Sequence, residues 1–192
     1  IEEKGRITQF PKKMGRWAAA AAAAIVLFSG GYGYNNAYAY SYVTLDANPS
    51  IEYTLNRRNA VLSVSALNED AVPIVEELNA EGVRGAALTE VLEETTALLY
   101  REEYLDTDDC MLISVTSRGD SQRQALNAEI EEFNVRESPD IYVTNASMEE
   151  ERSARSLGLS TGRYKLMEEV RTAEDGRFED GSVDAGKVPV EE

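Results

Sequence analysis

An α+β fold, a mixed β-sheet with helices packed on it, is what this sequence predicts for residues 37–173. Three observations carry the prediction. Apolar and polar residues alternate at period two between residues 40 and 66. Helical spacing of apolar residues takes over from Ala71 to Leu99 and returns around Leu126. Two short apolar runs, Met111–Val115 and Ile141–Val143, separate the later helices as buried strands would.

The elements follow in order. Tyr40–Asp46 is rich in β-formers, and Ile51-Glu52-Tyr53-Thr54-Leu55 alternates strictly. Ala60–Ala66 forms a third strand with Leu62, Val64 and Ala66 on one face. Asn48-Pro49-Ser50 and Arg57-Arg58-Asn59 supply the turns of a meander. Ala71, Ile74, Val75 and Leu78 define one helix. Leu88, Val91, Leu92, Thr95, Leu98 and Leu99 define the next, with Glu90, Glu93 and Glu94 opposite. Met111–Val115 is a strand, Leu126, Ile130 and Phe133 mark a helix, and Ile141–Val143 is a further strand. Ser147-Met148-Glu149-Glu150 is a capping box opening a helix that stops by Gly158. Ser160 or Thr161 caps a last helix carrying Tyr164, Met167 and Val170. Beyond Ala173 the apolar pattern dissolves, so residues 174–192 read as an acidic, flexible linker or tail, leading toward a further domain.

Composition narrows the chemistry. The 192 residues contain no histidine, which removes histidine-based triads, dyads and zinc ligation. A net charge of −16 argues against nucleic acid as a partner. The lone Cys110 excludes an internal disulfide, and at the head of an apolar strand it is expected to be a small buried residue. Asp106-Thr107-Asp108-Asp109 lacks the glycine and distal glutamate of a calcium loop and reads as a solvated turn. No cofactor or metal is implied.

Charge is unevenly spread. Residues 1–16 carry a net +3, so the other 176 carry −19, and no charged side chain occurs from Trp17 to Leu45. Trp17–Phe28 is wholly apolar, and with the weakly polar Ser29–Tyr34 this part of the uncharged run reaches 18 residues, roughly 27 Å as a helix. From composition, two readings stand level. One is a membrane-spanning helix with its basic flank in the cytoplasm. The other is a signal peptide with Ala37-Tyr38-Ala39 as its cleavage site. A buried globular helix fits the flanking lysines and arginines less well. Both leading readings place residue 40 onward outside the cytoplasm.

Asn48-Pro49 is the one place where the residues themselves offer chemistry. Proline has no N–H, which closes the usual deamidation route at Asn48. What remains is attack by the Asn48 side-chain nitrogen on its own backbone carbonyl, closing a succinimide and expelling the Pro49 nitrogen. A turn that twists the bond to Pro49 would assist, because a non-planar amide loses resonance. Thr44, Asp46 and Asn48 would share one face if the strand ran on, so Asp46 is a candidate to orient the amide or take its proton. Taken alone the dipeptide is more simply a turn.

Two segments carry a family resemblance. Residues 41–57, SYVTLDANPSIEYTLNR, followed by Val61-Leu62-Ser63-Val64 and Leu67-Asn68-Glu69-Asp70, resemble the extracytoplasmic domain of RsgI-type anti-sigma factors. Leu157-Gly158-Leu159-Ser160-Thr161-Gly162-Arg163-Tyr164-Lys165-Leu166 is similar to that family's closing Gly-x-Ser-x-Gly-x-Tyr segment. Ala47 and Thr161 depart from the family pattern, which has a larger aliphatic residue and often a proline there. Ala47 is expected to slow cleavage.

The resemblance implies a membrane-anchored regulator of a sigma-I type sigma factor, not a turnover enzyme. Residues 1–16 would be the tail of a cytoplasmic sigma-binding region, and residues 17–36 a single transmembrane helix with its N-terminus cytoplasmic. Residues 37–173 would be an autoproteolytic domain cut once between Asn48 and Pro49, with Asp46 assisting. The halves would stay associated until a signal separates them, exposing the stub to an intramembrane protease. A cell-wall or polysaccharide module often follows in the family. The competing reading is a secreted or anchored interaction module in which Asn48-Pro49 is an inert turn.

Overall fold

A computed structural model of the chain describes residues 37–106, 109–136 and 140–179. The meander forms because each run alternates and each break carries a turn residue. Strand β1 spans Ser41–Asp46, β2 Ser50–Leu55 and β3 Val61–Ala66, each antiparallel to the one before. A short 3-10 turn, Glu69–Ala71, leads into helix α1, Val72–Glu81, and α2 follows at Leu88–Arg101. Strand β4 (Cys110–Ser117), helix α3 (Asp120–Arg136) and strand β5 (Asp140–Ala146) make a β-α-β unit whose strands are parallel. Helices α4 (Met148–Ser156) and α5 (Thr161–Glu179) close the domain.

The five strands lie in the order β3-β2-β1-β4-β5. The predicted mixed sheet is therefore present, with β1 at its centre, antiparallel to β2 and to β4 over six paired residues on each side. Alternation then assigns the faces. Val43, Leu45, Ile51, Tyr53, Ile113 and Val115 are fully buried in one core with Ile74 and Leu78 of α1, Leu92 and Leu99 of α2, and Leu126, Ile130 and Phe133 of α3. The opposite face carries Tyr42, Thr44, Asp46, Glu52 and Leu112, and α4 and α5 pack there.

Several expectations change. The face Leu62-Val64-Ala66 is interrupted, because a bulge between Thr54 and Leu55 pairs Leu55 with Val61 and turns Val61 into the core. Cys110, expected to be buried, is exposed: it is the first residue of β4, ahead of the part of the strand that the helices cover. Met167 and Val170 of α5 are exposed, since that helix meets the sheet through its first turn. The last helix also runs on to Glu179, past the boundary drawn at residue 173, because helical hydrogen bonding continues where the apolar pattern stops.

The segment 17–36, read as a transmembrane helix, lies outside the described residues, as do 1–16 and 180–192. Among the described residues no helix is long and apolar enough to cross a membrane.

Candidate functional site

The β1–β2 connection is a sharp hairpin. Asp46 pairs with Ser50, and the Ala47 N–H donates to the Pro49 carbonyl at 3.1 Å, leaving Asn48 alone at the apex. Asn48 is exposed while Pro49 behind it is buried. The apex residue has φ +47°, in the left-handed region. Asparagine tolerates that region better than most residues. A following proline, however, restricts the residue before it to extended conformations. Asn48 thus holds an uncommon backbone shape at the very bond proposed for scission, and such outliers store about 1–3 kcal/mol.

Asn68 fixes this loop from the side. As N-cap of the 3-10 turn its Oδ1 accepts from the Ala71 N–H at 3.2 Å and from the Ser50 N–H at 3.0 Å. Its Nδ2 donates to Asn48 Oδ1 at 3.4 Å. That contact orients the Asn48 carboxamide and draws density toward its oxygen.

Asp46 does something else than share a face with Asn48, because the positive φ ends the strand geometry between them. Its side chain is 6% exposed and turned toward α5. Ser50 Oγ donates to Oδ1 and Ser160 Oγ donates to Oδ2, each at 2.7 Å, and Arg163 Nε lies 3.6 Å from Oδ1. Burial pushes this carboxyl above its ordinary value, against the two hydroxyls and the Arg163 charge. Ser160 is also the N-cap of α5, accepting the Arg163 N–H at 3.2 Å. Gly162 is required by proximity: a Cβ there would stand 2.7 Å from Asp46 Oδ2 and 2.8 Å from Leu112 Cδ2.

Beside it lies a second buried acid. Glu52 receives Arg155 on both oxygens at 3.0 Å, and the same guanidinium bonds Glu151 at 2.6 Å and stacks 5.3 Å from the Tyr42 ring centre. Desolvation raises the Glu52 carboxyl; Arg155 opposes the rise and Glu151 adds to it. A cleft of about 160 Å³ runs between this pair and Gly158, Leu159 and Thr161. Among the described residues no group of acids, cysteine or histidine is placed to hold a metal ion.

Sequence reasoning singles out Asn48, Pro49 and Asp46 as candidates, but not Ser50, Asn68, Ser160 or Arg163, which the structure places against Asn48 or Asp46. Asn68 before Glu69-Asp70 was a legible cap signal. The approach of Ser160 to Asp46, 114 residues away, had no local signal.

The two segments that suggested a resemblance thus meet at one carboxylate. The chain belongs to the family of the anti-sigma factor RsgI-like central domain, whose sequence pattern matches residues 40–169. Anti-sigma-I factor RsgI7 of Acetivibrio thermocellus is 29% identical over 150 residues, which cover 73% of this chain and 26% of that protein. Anti-sigma-I factor RsgI9 of the same organism is 29% identical over 169 residues, covering 80% of this chain and 23% of the relative. Anti-sigma-I factor RsgI5 is 27% identical over 150 residues, covering 71% and 31%. The chain therefore spans between 23% and 31% of these relatives' own lengths.

Proposed function

We propose that this chain is the extracytoplasmic relay of a membrane-anchored anti-sigma factor acting on a sigma-I type sigma factor, and that it cuts itself once between Asn48 and Pro49. The observation that carries the chemistry is the apex geometry, an asparagine with φ +47° immediately before a buried proline. In the step, Asn48 Nδ2 bonds to its own backbone carbonyl carbon and the bond to the Pro49 nitrogen breaks. A proton passes from Nδ2 to the departing Pro49 amine. The succinimide left at the new C-terminus is opened by water.

Asn48 is the nucleophile and Pro49 the leaving group. Asp46 serves by fixing the strand end from which the turn springs, since both its oxygens are engaged by serine hydroxyls.

The central position of β1 supports a cut whose products stay together. The amino-terminal piece would end as one strand held between β2 and β4 on both edges. A signal that draws that strand out would separate the pieces and offer the membrane-side stub to an intramembrane protease, freeing the sigma factor. Residues 17–36 are the proposed anchor, and residues 180–192 the lead toward a wall- or polysaccharide-binding module.

The test is an intact-mass spectrum and denaturing gel of the purified chain at neutral pH. Pieces of 48 and 144 residues that co-migrate natively are expected, and Asn48→Ala should give one uncut chain of unchanged fold. The same two pieces from Asn48→Ala would refute the succinimide route. A wild-type chain that stays whole would return Asn48-Pro49 to an inert turn.

A further inference from the structure

We propose that Asp46 is the release latch of the cut domain: it ends the last strand of the amino-terminal piece, and the groups gripping it, Ser50, Ser160 and Arg163, all belong to the other piece. This rests on the self-cleavage reading above.

Ladder hydrogen bonds cross that seam along β1, as do the side-chain contacts Ser41–Ser117, Thr44–Ser114, Asn48–Asn68 and Tyr42–Arg155, but Asp46 is the one charged side chain that β1 brings to it. Asp46 is different in kind and in place. A cut after Asn48 removes the chain continuity that holds this end of β1, so fraying starts here. The carboxylate opposes fraying with two short hydroxyl donors from separate elements, β2 and the cap of α5. Hydrogen bonds to a buried ionised group are the stronger kind, and losing one leaves the charge unsatisfied.

The register adds a second barrier. Tension from the amino-terminal side reaches β1 through Tyr40, whose N–H donates to the Leu55 carbonyl at 2.8 Å and whose ring lies under Arg57. Side chains alternate, so the smallest slip that keeps faces matched is two residues. That slip carries Asp46 to the level now held by Thr44, directly opposite Glu52 on β2 and Ser114 on β4. Glu52 is itself 8% exposed and already shares Arg155 with Glu151. Like charges directly across a strand pair repel. The latch thus resists the first step out and the register to which that step leads.

The experiment uses the full cleaved chain in mild detergent, held by its C-terminus, with loss of the 48-residue piece followed in time. Ser50→Ala and Ser160→Ala should each speed release about tenfold. Thr95→Ala removes the Tyr53 hydroxyl's 2.9 Å partner wholly inside the 144-residue piece, and should change release by no more than about twofold. Equal acceleration by Thr95→Ala reduces the effect to general destabilisation and overturns the latch, as does unchanged release in both serine variants. Where a serine variant is no longer cut, as the part Asp46 plays at the strand end allows, its release is read in a chain severed at a protease site replacing Asn48-Pro49, with the same outcomes. If the wild-type chain is never cut, the self-cleavage reading fails separately. The same release assay on a chain severed at a protease site replacing Asn48-Pro49 then decides the latch by the same outcomes.

Discussion

Gly162→Ala sets two opposing effects against each other at one atom. Glycine costs a helix about 0.8–1 kcal/mol relative to alanine, so at the start of α5 propensity alone favours the change. Packing opposes it. The new Cβ would stand 2.7 Å from Asp46 Oδ2, 2.8 Å from Leu112 Cδ2 and 3.2 Å from Leu112 Cγ. Overpacking of this kind costs about 1–3 kcal/mol. The carboxylate cannot move aside cheaply, because Ser50 and Ser160 each hold one oxygen at 2.7 Å. Two contacts under 3 Å put the clash in the upper half of that range, so it should win, with a net loss of about 1–2 kcal/mol. Urea unfolding followed by far-UV circular dichroism, in the uncut Asn48→Ala chain, reads this directly. With a slope of about 1–3 kcal/mol per molar, the midpoint should fall by about 0.3–2 M. A midpoint equal to or above that of the parent would refute the packing argument. Gly158 is the internal contrast: nothing lies within 4 Å of its would-be Cβ, but its φ is +68°. Alanine there should cost about 1 kcal/mol through backbone strain alone.

Two further outcomes follow from the buried polar groups. Burial raises the Asp46 carboxyl above 3.8, while Ser50, Ser160 and Arg163 face it and pull the other way. A group raised in this sense gives its stability fully below its unfolded value and loses it as pH climbs through the folded value. In the uncut Asn48→Ala chain, the version keeping Asp46 should therefore lose stability relative to the one carrying Asp46→Asn as pH rises from about 3.5. Urea midpoints of the two chains across that range would sink the argument if their difference stayed flat or ran the other way. Tyr53→Phe should cost about 1 kcal/mol, since the fully buried hydroxyl bonds Thr95 Oγ1 at 2.9 Å, and calorimetry showing no drop in Tm would count against that bond.

Particular residues show what the sequence made legible. The meander could be read because strand alternation and turn residues are local, and the capping box at Ser147 is present as written, with reciprocal bonds of 3.1 and 2.7 Å to Glu150. Neighbour order could not be read that way. Period two says which face Val43 points to, but not that β4 comes to lie against β1 from 66 to 76 residues on, Asp46 opposite Leu112 and Ser41 opposite Ser117. Val61 turned inward because of a bulge, a property of the pairing and not of either strand alone. The Asn48 turn was legible since proline and asparagine act on their own backbone. The setting of Asp46 was not, since three of the groups around it, Ser160, Gly162 and Arg163, arrive from the far end of the chain.

The place of β1 at the middle of the sheet, and not at its rim, bears on how often such a molecule could speak. With the strand gone, the order β3-β2-β1-β4-β5 falls into two ribbons of two strands each, β2–β3 and β4–β5, with no shared edge. Two-stranded ribbons are marginal on their own, and each would present a row of unpaired amides where its neighbour had been. A body in that condition does not wait in shape for the strand to return. If the chain is cut and parted as proposed, the domain would behave as a fuse: each copy would report once, and the cell's readiness for a second event would be set by the stock of unspent copies and the rate of their synthesis.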